Sequence, residues 1–210
     1  MIAIVDTGIG NLRSVQKAFE RVGHAATITQ VPEQIALAHA VVLPGQGAFR
    51  DCMAHLGACD LLEPVLEVMR SGRPYLGICL GLQVLMTESE EFGCHKGLNV
   101  IPGRVRRFPA GMTDAQGTPH KVPHMGWNQA CLTKRPPIFA GIPERAYFYF
   151  AHSYVVETFS DAVVATTTDY GMQFVSGIWH ENMFGVQFHP EKSQVHGLRL
   201  LKNFADLARS

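Results

Sequence analysis

The sequence predicts an α/β fold, a mainly parallel, helix-covered central sheet with an antiparallel extension, built as a single domain over residues 1–210. Three observations carry this expectation. Through roughly the first eighty residues, short apolar runs alternate with segments of helical spacing, the order that buries a parallel sheet between helices. After about residue 99 the texture changes to β-branched and aromatic runs separated by turn signals, as in antiparallel hairpins. No repeat, low-complexity tract or Pro/Ser-rich linker divides the 210 residues, a length that buries about 70% of its unfolded surface in one core.

Taken in order, residues 2–5 (Ile-Ala-Ile-Val) are an apolar run of strand length. Leu12, Val15, Phe19 and Val22 then recur at helical spacing, with Asn11 placed to cap that helix and Gly23 to end it. Segments 25–29 and 40–43 are further buried strands. Segment 61–69 repeats the helix, 74–78 repeats the strand, and 82–86 favours helix again. In the second half, 99–108, 147–156, 162–168 and 174–189 read as strands, the last interrupted by the turn-like His180-Glu181-Asn182. Segment 194–208 returns to helical spacing through Val195, Leu198, Leu201, Ala205 and Ala208.

Composition excludes several classes of partner. Eighteen Lys and Arg balance eighteen Asp and Glu, so no broad field favours nucleic acid or an anionic bilayer. No run reaches the roughly 18 consecutive apolar residues of a membrane span, and Asp6 interrupts the N-terminal apolar run before a signal-peptide core can form; the expected location is cytoplasmic. The five cysteines, Cys52, Cys59, Cys79, Cys94 and Cys131, are odd in number and nowhere form C-x-x-C, which argues against a disulfide framework or a zinc ribbon. His120 and His124 have metal-like spacing, but Pro123 opposes a helix that would put both on one face. No metal or cofactor is expected.

The strongest chemical signal is Gly77-Ile78-Cys79-Leu80-Gly81, placed between an apolar strand and a helix-favouring segment. G-x-C-x-G is the cysteine form of the nucleophile elbow, in which the bend pushes the side chain outward and the glycines remove Cβ atoms that would crowd it. The helix that follows begins beside the sulfur, which favours thiolate and offers the Leu80 amide as an oxyanion donor. Most free cysteines are small buried hydrophobes, and the other four are read that way. A thiol nucleophile needs a proton acceptor that later donates, and among ten histidines His189 stands out. In Gly185-Val186-Gln187-Phe188-His189-Pro190-Glu191 it ends a strand with a carboxylate two residues on. In extended chain, i and i+2 project from one face, so Glu191 is placed to fix the imidazole's tautomer.

Pro44-Gly45-Gln46-Gly47-Ala48-Phe49 follows the strand at 41–43, and its glycines allow a peptide N–H, of Gln46 or Gly47, to turn toward a substrate carbonyl as a second oxyanion donor. The plain alternative is an ordinary Pro-Gly turn. Gly8-Ile9-Gly10-Asn11 also joins a strand to a helix, but Arg13 stands at the third glycine position of a dinucleotide fingerprint, so nucleotide binding is discounted.

Together these motifs, in this order, resemble the class I (triad) glutamine amidotransferases. Gly8-Ile9-Gly10-Asn11-Leu12, His124-Met125-Gly126-Trp127-Asn128 and Tyr149-Phe150-Ala151-His152-Ser153-Tyr154 narrow the resemblance to the glutaminase subunits of imidazole glycerol phosphate synthase, over nearly the whole chain. Thr7 departs from the aromatic common there among relatives. The resemblance implies a Cys79–His189–Glu191 triad, hydrolysis of glutamine, and delivery of ammonia to a (β/α)8-barrel cyclase in a heterodimer of histidine biosynthesis. It further implies that Gly45, Gln83, Glu91, Ser153 and Tyr154 bind the substrate, and that Asn11, Trp127, Tyr149 and Lys192 face the partner. The residues alone leave open the glutaminase of another synthase, of anthranilate or guanylate type, and a non-catalytic binding subunit of the same fold.

Overall fold

The computed structural model describes residues 1–114 and 116–208. Its first half alternates as expected: β1 (Ile2–Val5), α1 (Leu12–Arg21), β2 (Ala26–Thr29), α2 (Pro32–Ala36), β3 (Ala40–Gly45), α3 (Phe49–Ala58), α4 (Leu62–Arg70), β4 (Tyr75–Cys79) and α5 (Leu80–Gln83). Strands β2, β1, β3 and β4 lie side by side, all parallel. β1, β3 and β4 are buried throughout because helices cover both faces, which is why they read as continuous apolar runs. Asn11 caps α1, its Oδ1 accepting the Ser14 N–H at 3.3 Å, and Gly23 follows the helix at φ +85°.

The second half comprises β5 (Met86–Ser89), β6 (His95–Lys96), β7 (Ile101–Arg107), β8 (His124–Leu132), β9 (Arg145–His152), β10 (Tyr154–Thr158), β11 (Val164–Asp169), β12 (Gln173–His180), β13 (Met183–Val186) and α6 (Gln194–Leu207). β13 joins the halves, running parallel to β4 on one side and antiparallel to β12 on the other. The antiparallel strands therefore extend the same sheet, through β10, β7, β5 and β6, while β11, β8 and β9 branch from β12.

Several expectations are corrected. Segment 82–86 is not a helix: α5 stops at Gln83 and β5 begins at Met86. The Leu98 and Val100 amides donate to the Val84 and Leu85 carbonyls at 2.8 and 3.0 Å, so long-range pairing overrides local helix preference. β5 also pairs with β7 in parallel, so the extension is not purely antiparallel. The run 147–156 is two strands, β9 and β10, divided at Ser153. Helix α3, not expected from the sequence, buries Phe49, Cys52 and Leu56 at helical spacing but has no N-cap signal, since Ala48 cannot cap it. The Phe49 N–H is instead met by Glu91 Oε2 at 2.7 Å, a partner 42 residues away. β8 lacks the usual pattern since it buries a polar residue, His124, and exposes Met125 and Trp127.

The core alternates with the pleat. Ile2 and Ile4 pack on one face with Phe19, Phe148, Phe188 and Phe204, beneath α1 and α6; Ala3 and Val5 pack on the other with Leu43, Leu56, Val65 and Leu82, beneath α3 and α4. Each of the Val, Leu, Ile and Phe side chains among them contributes about 1.5–3 kcal/mol on full burial.

Behind β8 and β9 lies a buried histidine pair. His152 Nδ1 donates to the Tyr154 carbonyl at 2.9 Å, leaving Nε2 to accept from His124 Nδ1 at 3.1 Å; Asn128 Nδ2 lies 3.3 Å from the remaining His124 nitrogen. Both rings sit among Phe108, Phe150 and Phe174. Burial pushes His152 down to about 3, with the nearby His124 and His189 charges adding to it against the Tyr154 hydrogen bond. Burial, then the charge of His120, lowers His124 to about 4. Neutral in the folded chain and protonated in the unfolded one, these rings take up protons on unfolding as pH falls below the ordinary histidine value near 6.5. The thermal midpoint is therefore expected to drop between pH 6.5 and 5, and His152→Gln to flatten that drop. An equal slope in wild type and variant assigns the acid sensitivity elsewhere.

Candidate active site

Cys79 is the last residue of β4 and its backbone lies at φ +55°, ψ −101°, a left-handed conformation that L-residues rarely hold and that costs of order 1–3 kcal/mol. The surroundings enforce it. A Cβ on Gly77 would fall 2.3 Å from the Gly81 carbonyl oxygen, and one on Gly81 would fall 1.7 Å from that of Leu43. Both glycines are required by close approach of backbone, and the Tyr75 hydroxyl secures the bend by donating to Gly81 O at 3.0 Å. α5 is only four residues long, so its dipole adds less than the expected longer helix would. The buried Cys52 differs in kind, its thiol pushed up to about 12 by burial.

His189 arrives from the end of β13. Its backbone N–H donates to Tyr149 O at 2.8 Å and its carbonyl accepts from Ser193 Oγ at 2.6 Å, so the position is tied to β9 and to the start of α6. Nδ1 and Glu191 Oε1 are 2.9 Å apart, with the two side chains only 2% and 3% exposed. Glu191 lies in a one-turn 3-10 segment, Pro190–Lys192, rather than in extended chain, and the turn still brings its carboxylate back to the ring. Nε2 completes no hydrogen bond, and neither does Glu191 Oε2. Burial alone would lower the His189 pKa; the nearby Cys79 sulfur and the Glu191 carboxylate bonded to Nδ1 reverse that and raise it. Cys79 thus acts on the ring across a contact looser than a formed hydrogen bond, an arrangement common before substrate tightens a site.

Cys79 opens on a cavity of about 600 Å³. Gln46, Gly47 and Leu80, the expected oxyanion donors, line it, and Gly47 holds φ +109°. Gln83, Glu91, Ser153 and Tyr154 line it as well. Gly45 does not: it pairs in register with Cys79, packs against Leu80, and shares a small crevice with Asn11, His189 and Glu191. Tyr149 and Lys192 form part of the cavity wall, with the Lys192 ammonium 5.7 Å from the Tyr149 ring centre. Trp127 stands outside, edge-on to Tyr149 at 6.2 Å.

Two of the polar groups are already engaged. Gln83 Nε2 donates to Tyr154 O at 3.2 Å and to Gln187 Oε1 at 3.3 Å, and Glu91 holds the start of α3, next to the Gly45–Gly47 loop. Arg107, His152 and Met125 also face the cavity, and Gln187 touches the sulfur, none of them singled out from the sequence. Gln187 had a signal: it stands two residues before His189, as Glu191 stands two after. Thr7, buried, donates from Oγ1 to Ile9 O at 3.2 Å and so serves its own loop. Among the described residues no group of three His, Cys, Asp or Glu side chains is arranged to hold a metal, and no helix is long and apolar enough to cross a membrane.

Comparison with known proteins gives the family. The class-I glutamine amidotransferase family profile matches residues 3–207. A protein of Syntrophotalea carbinolica, the imidazole glycerol phosphate synthase subunit HisH, is 57% identical over 99% of this chain and 100% of its own length. The subunit of the same name from Geobacter sulfurreducens is 53% identical over 98% of both chains. A crystal structure of a glutamine amidotransferase superposes with a TM-score of 0.75 at 18% identity, covering 100% of this chain and 99% of that one. The Trypanosoma brucei CTPS glutaminase domain with bound acivicin does so with a TM-score of 0.68 at 18% identity, covering 99% and 93%. At such identities these two structures speak for the fold alone. With an elbow cysteine, a buried His–Glu pair and a family match over almost its whole length, the chain belongs to the class-I glutamine amidotransferases.

Proposed function

We propose that this chain is the glutaminase subunit of an imidazole glycerol phosphate synthase, hydrolysing glutamine and passing ammonia to a (β/α)8-barrel cyclase partner in histidine biosynthesis. The observation that carries the reaction is Cys79, strained where it lines a cavity of about 600 Å³ and coupled to the buried His189–Glu191 pair. The choice of synthase rests on the full-length likeness to subunits of that name.

The steps follow from the groups present. The Cys79 sulfur attacks the side-chain carboxamide carbon, and the Leu80 amide with that of Gln46 or Gly47 receives the oxyanion, each such donor being worth about 10²- to 10³-fold in rate. His189, held as the acid by Glu191, protonates the departing nitrogen, which leaves as ammonia. His189 then takes a proton from water, whose oxygen displaces the sulfur from the γ-glutamyl thioester and yields glutamate. Gln83, Glu91, Ser153 and Tyr154, with Gly45 shaping the loop behind, are assigned to the substrate's amino-acid end.

Ammonia reacts only unprotonated, so a water-poor route to the next active site is needed, and the cavity mouth supplies a surface for it. Met125, Trp127 and Tyr147 are 64%, 46% and 54% exposed; the register of β8 with β9 puts them beside Tyr149 at the rim, which is how an interface anchor looks before its partner covers it. We assign this face, with Lys192 and the exposed Asn11, to the cyclase.

Cys79→Ala is expected to abolish glutamine-dependent product formation by the complex while leaving ammonia-dependent formation intact; loss of both contradicts a catalytic role. Trp127→Ala is expected to weaken cyclase binding by about 30-fold or more, as hot-spot truncations do, with the thermal midpoint of the free subunit unchanged. A titration showing unaltered affinity removes Trp127 from the interface.

A further inference from the structure

One buried amide touches the reacting sulfur and has no part in the chemistry above. Gln187 follows β13 directly, is fully buried, and continues the strand's ladder by donating its backbone N–H to Ser176 O at 2.9 Å. Its side-chain Nε2 lies 3.5 Å from Cys79 Sγ, within reach of an N–H···S hydrogen bond, and its Oε1 lies 3.3 Å from Gln83 Nε2.

The orientation of that amide is settled by a carbonyl two links away. Tyr154 O can only accept, and Gln83 Nε2 reaches it at 3.2 Å, so the end of Gln83 that also meets Gln187 is a donor. Gln187 must answer a donor with its oxygen, which leaves its nitrogen toward the sulfur. The reverse orientation would set two amide nitrogens against each other and an oxygen lone pair against Sγ. His152 Nδ1 reaches the same carbonyl at 2.9 Å, so the chain of bonds ends on well-held backbone.

We propose that Gln187 is a fourth polar group of the nucleophile's site, a donor aimed by Gln83 that stabilises the Cys79 sulfur as an anion. The inference rests on Cys79 being the nucleophile. Hydrogen bonds to an ionised acceptor are roughly twice as strong as neutral ones, so this contact favours thiolate over thiol and complements the imidazolium that His189 becomes. A purely structural role, tying β13 to the elbow, would leave the sulfur's proton affinity alone.

The other ionisable groups around the sulfur are His189 with Glu191 behind it, and His152, Glu91, Arg107 and Lys192 on the cavity wall with the hydroxyls of Tyr149 and Tyr154. All are retained in Gln187→Met, which keeps size and loses the donor, and in Gln187→Glu, which turns a carboxylate toward the sulfur. The measurement is the rate of Cys79 alkylation by iodoacetamide against pH, in the full chain, with the adduct located by peptide mass spectrometry. The midpoint is expected to rise by about one pH unit in Gln187→Met, and further in Gln187→Glu. Either variant suffices if the other does not fold. A midpoint unmoved or lowered, with Cys79 still the preferred site in wild type, overturns the role of Gln187 alone. Wild-type chain alkylated at the exposed Cys94 in preference to Cys79 overturns the nucleophile reading beneath it.

Discussion

The architecture turns on one backbone residue held where it would not otherwise rest. Cys79 keeps its left-handed conformation because β4 is fixed on both sides, by β3 with Gly45 opposite Cys79 and by β13 with Val186 opposite Ile78. Gly77 and Gly81 let the bend close against backbone, where no larger residue fits. A local cost of order 1–3 kcal/mol persists only where the surroundings over-determine it, and apolar layers on both faces of the sheet do so.

The same registers assemble the rest. The Gln46–Gly47 loop follows β3, Cys79 ends β4 and the His189–Glu191 pair follows β13, three adjacent parallel strands that end at one edge, where α/β sheets generally carry their sites. The antiparallel extension supplies the opposite wall through Ser153 and Tyr154. Histidines on either side are driven in opposite directions: His189, beside a sulfur and a carboxylate, is raised, while His152, buried among aromatic rings, is lowered. One ring is thereby suited to move protons and the other to remain a neutral link in a hydrogen-bond chain.

Much of this was legible in the residues. The parallel half, the cap at Asn11, the C-terminal helix and the Cys79 and His189-Glu191 motifs each carry a local signature, and local signatures are what a single sequence displays. What was not legible depends on partners distant in sequence. α3 is capped by Glu91, the helix expected over 82–86 stops at Gln83 where Leu98 and Val100 bond to the turn before β5, and β8 hides a histidine while exposing a tryptophan. Gln187 was visible only as part of a motif, since its meaning lies in Gln83, which bonds it from another element and is itself oriented by the Tyr154 carbonyl.

The central claim is that the sulfur of the strained Cys79 and the buried His189 imidazole act as one reactive unit at the cavity Cys79 lines. Intact-mass and peptide analysis after treatment with a glutamine-derived chloroketone tests it most directly. One adduct per chain on Cys79, formed far more slowly in His189→Asn, is the result the account predicts. Label on Cys59, Cys94 or Cys131, or an adduct on Cys79 whose rate is indifferent to His189, would contradict it.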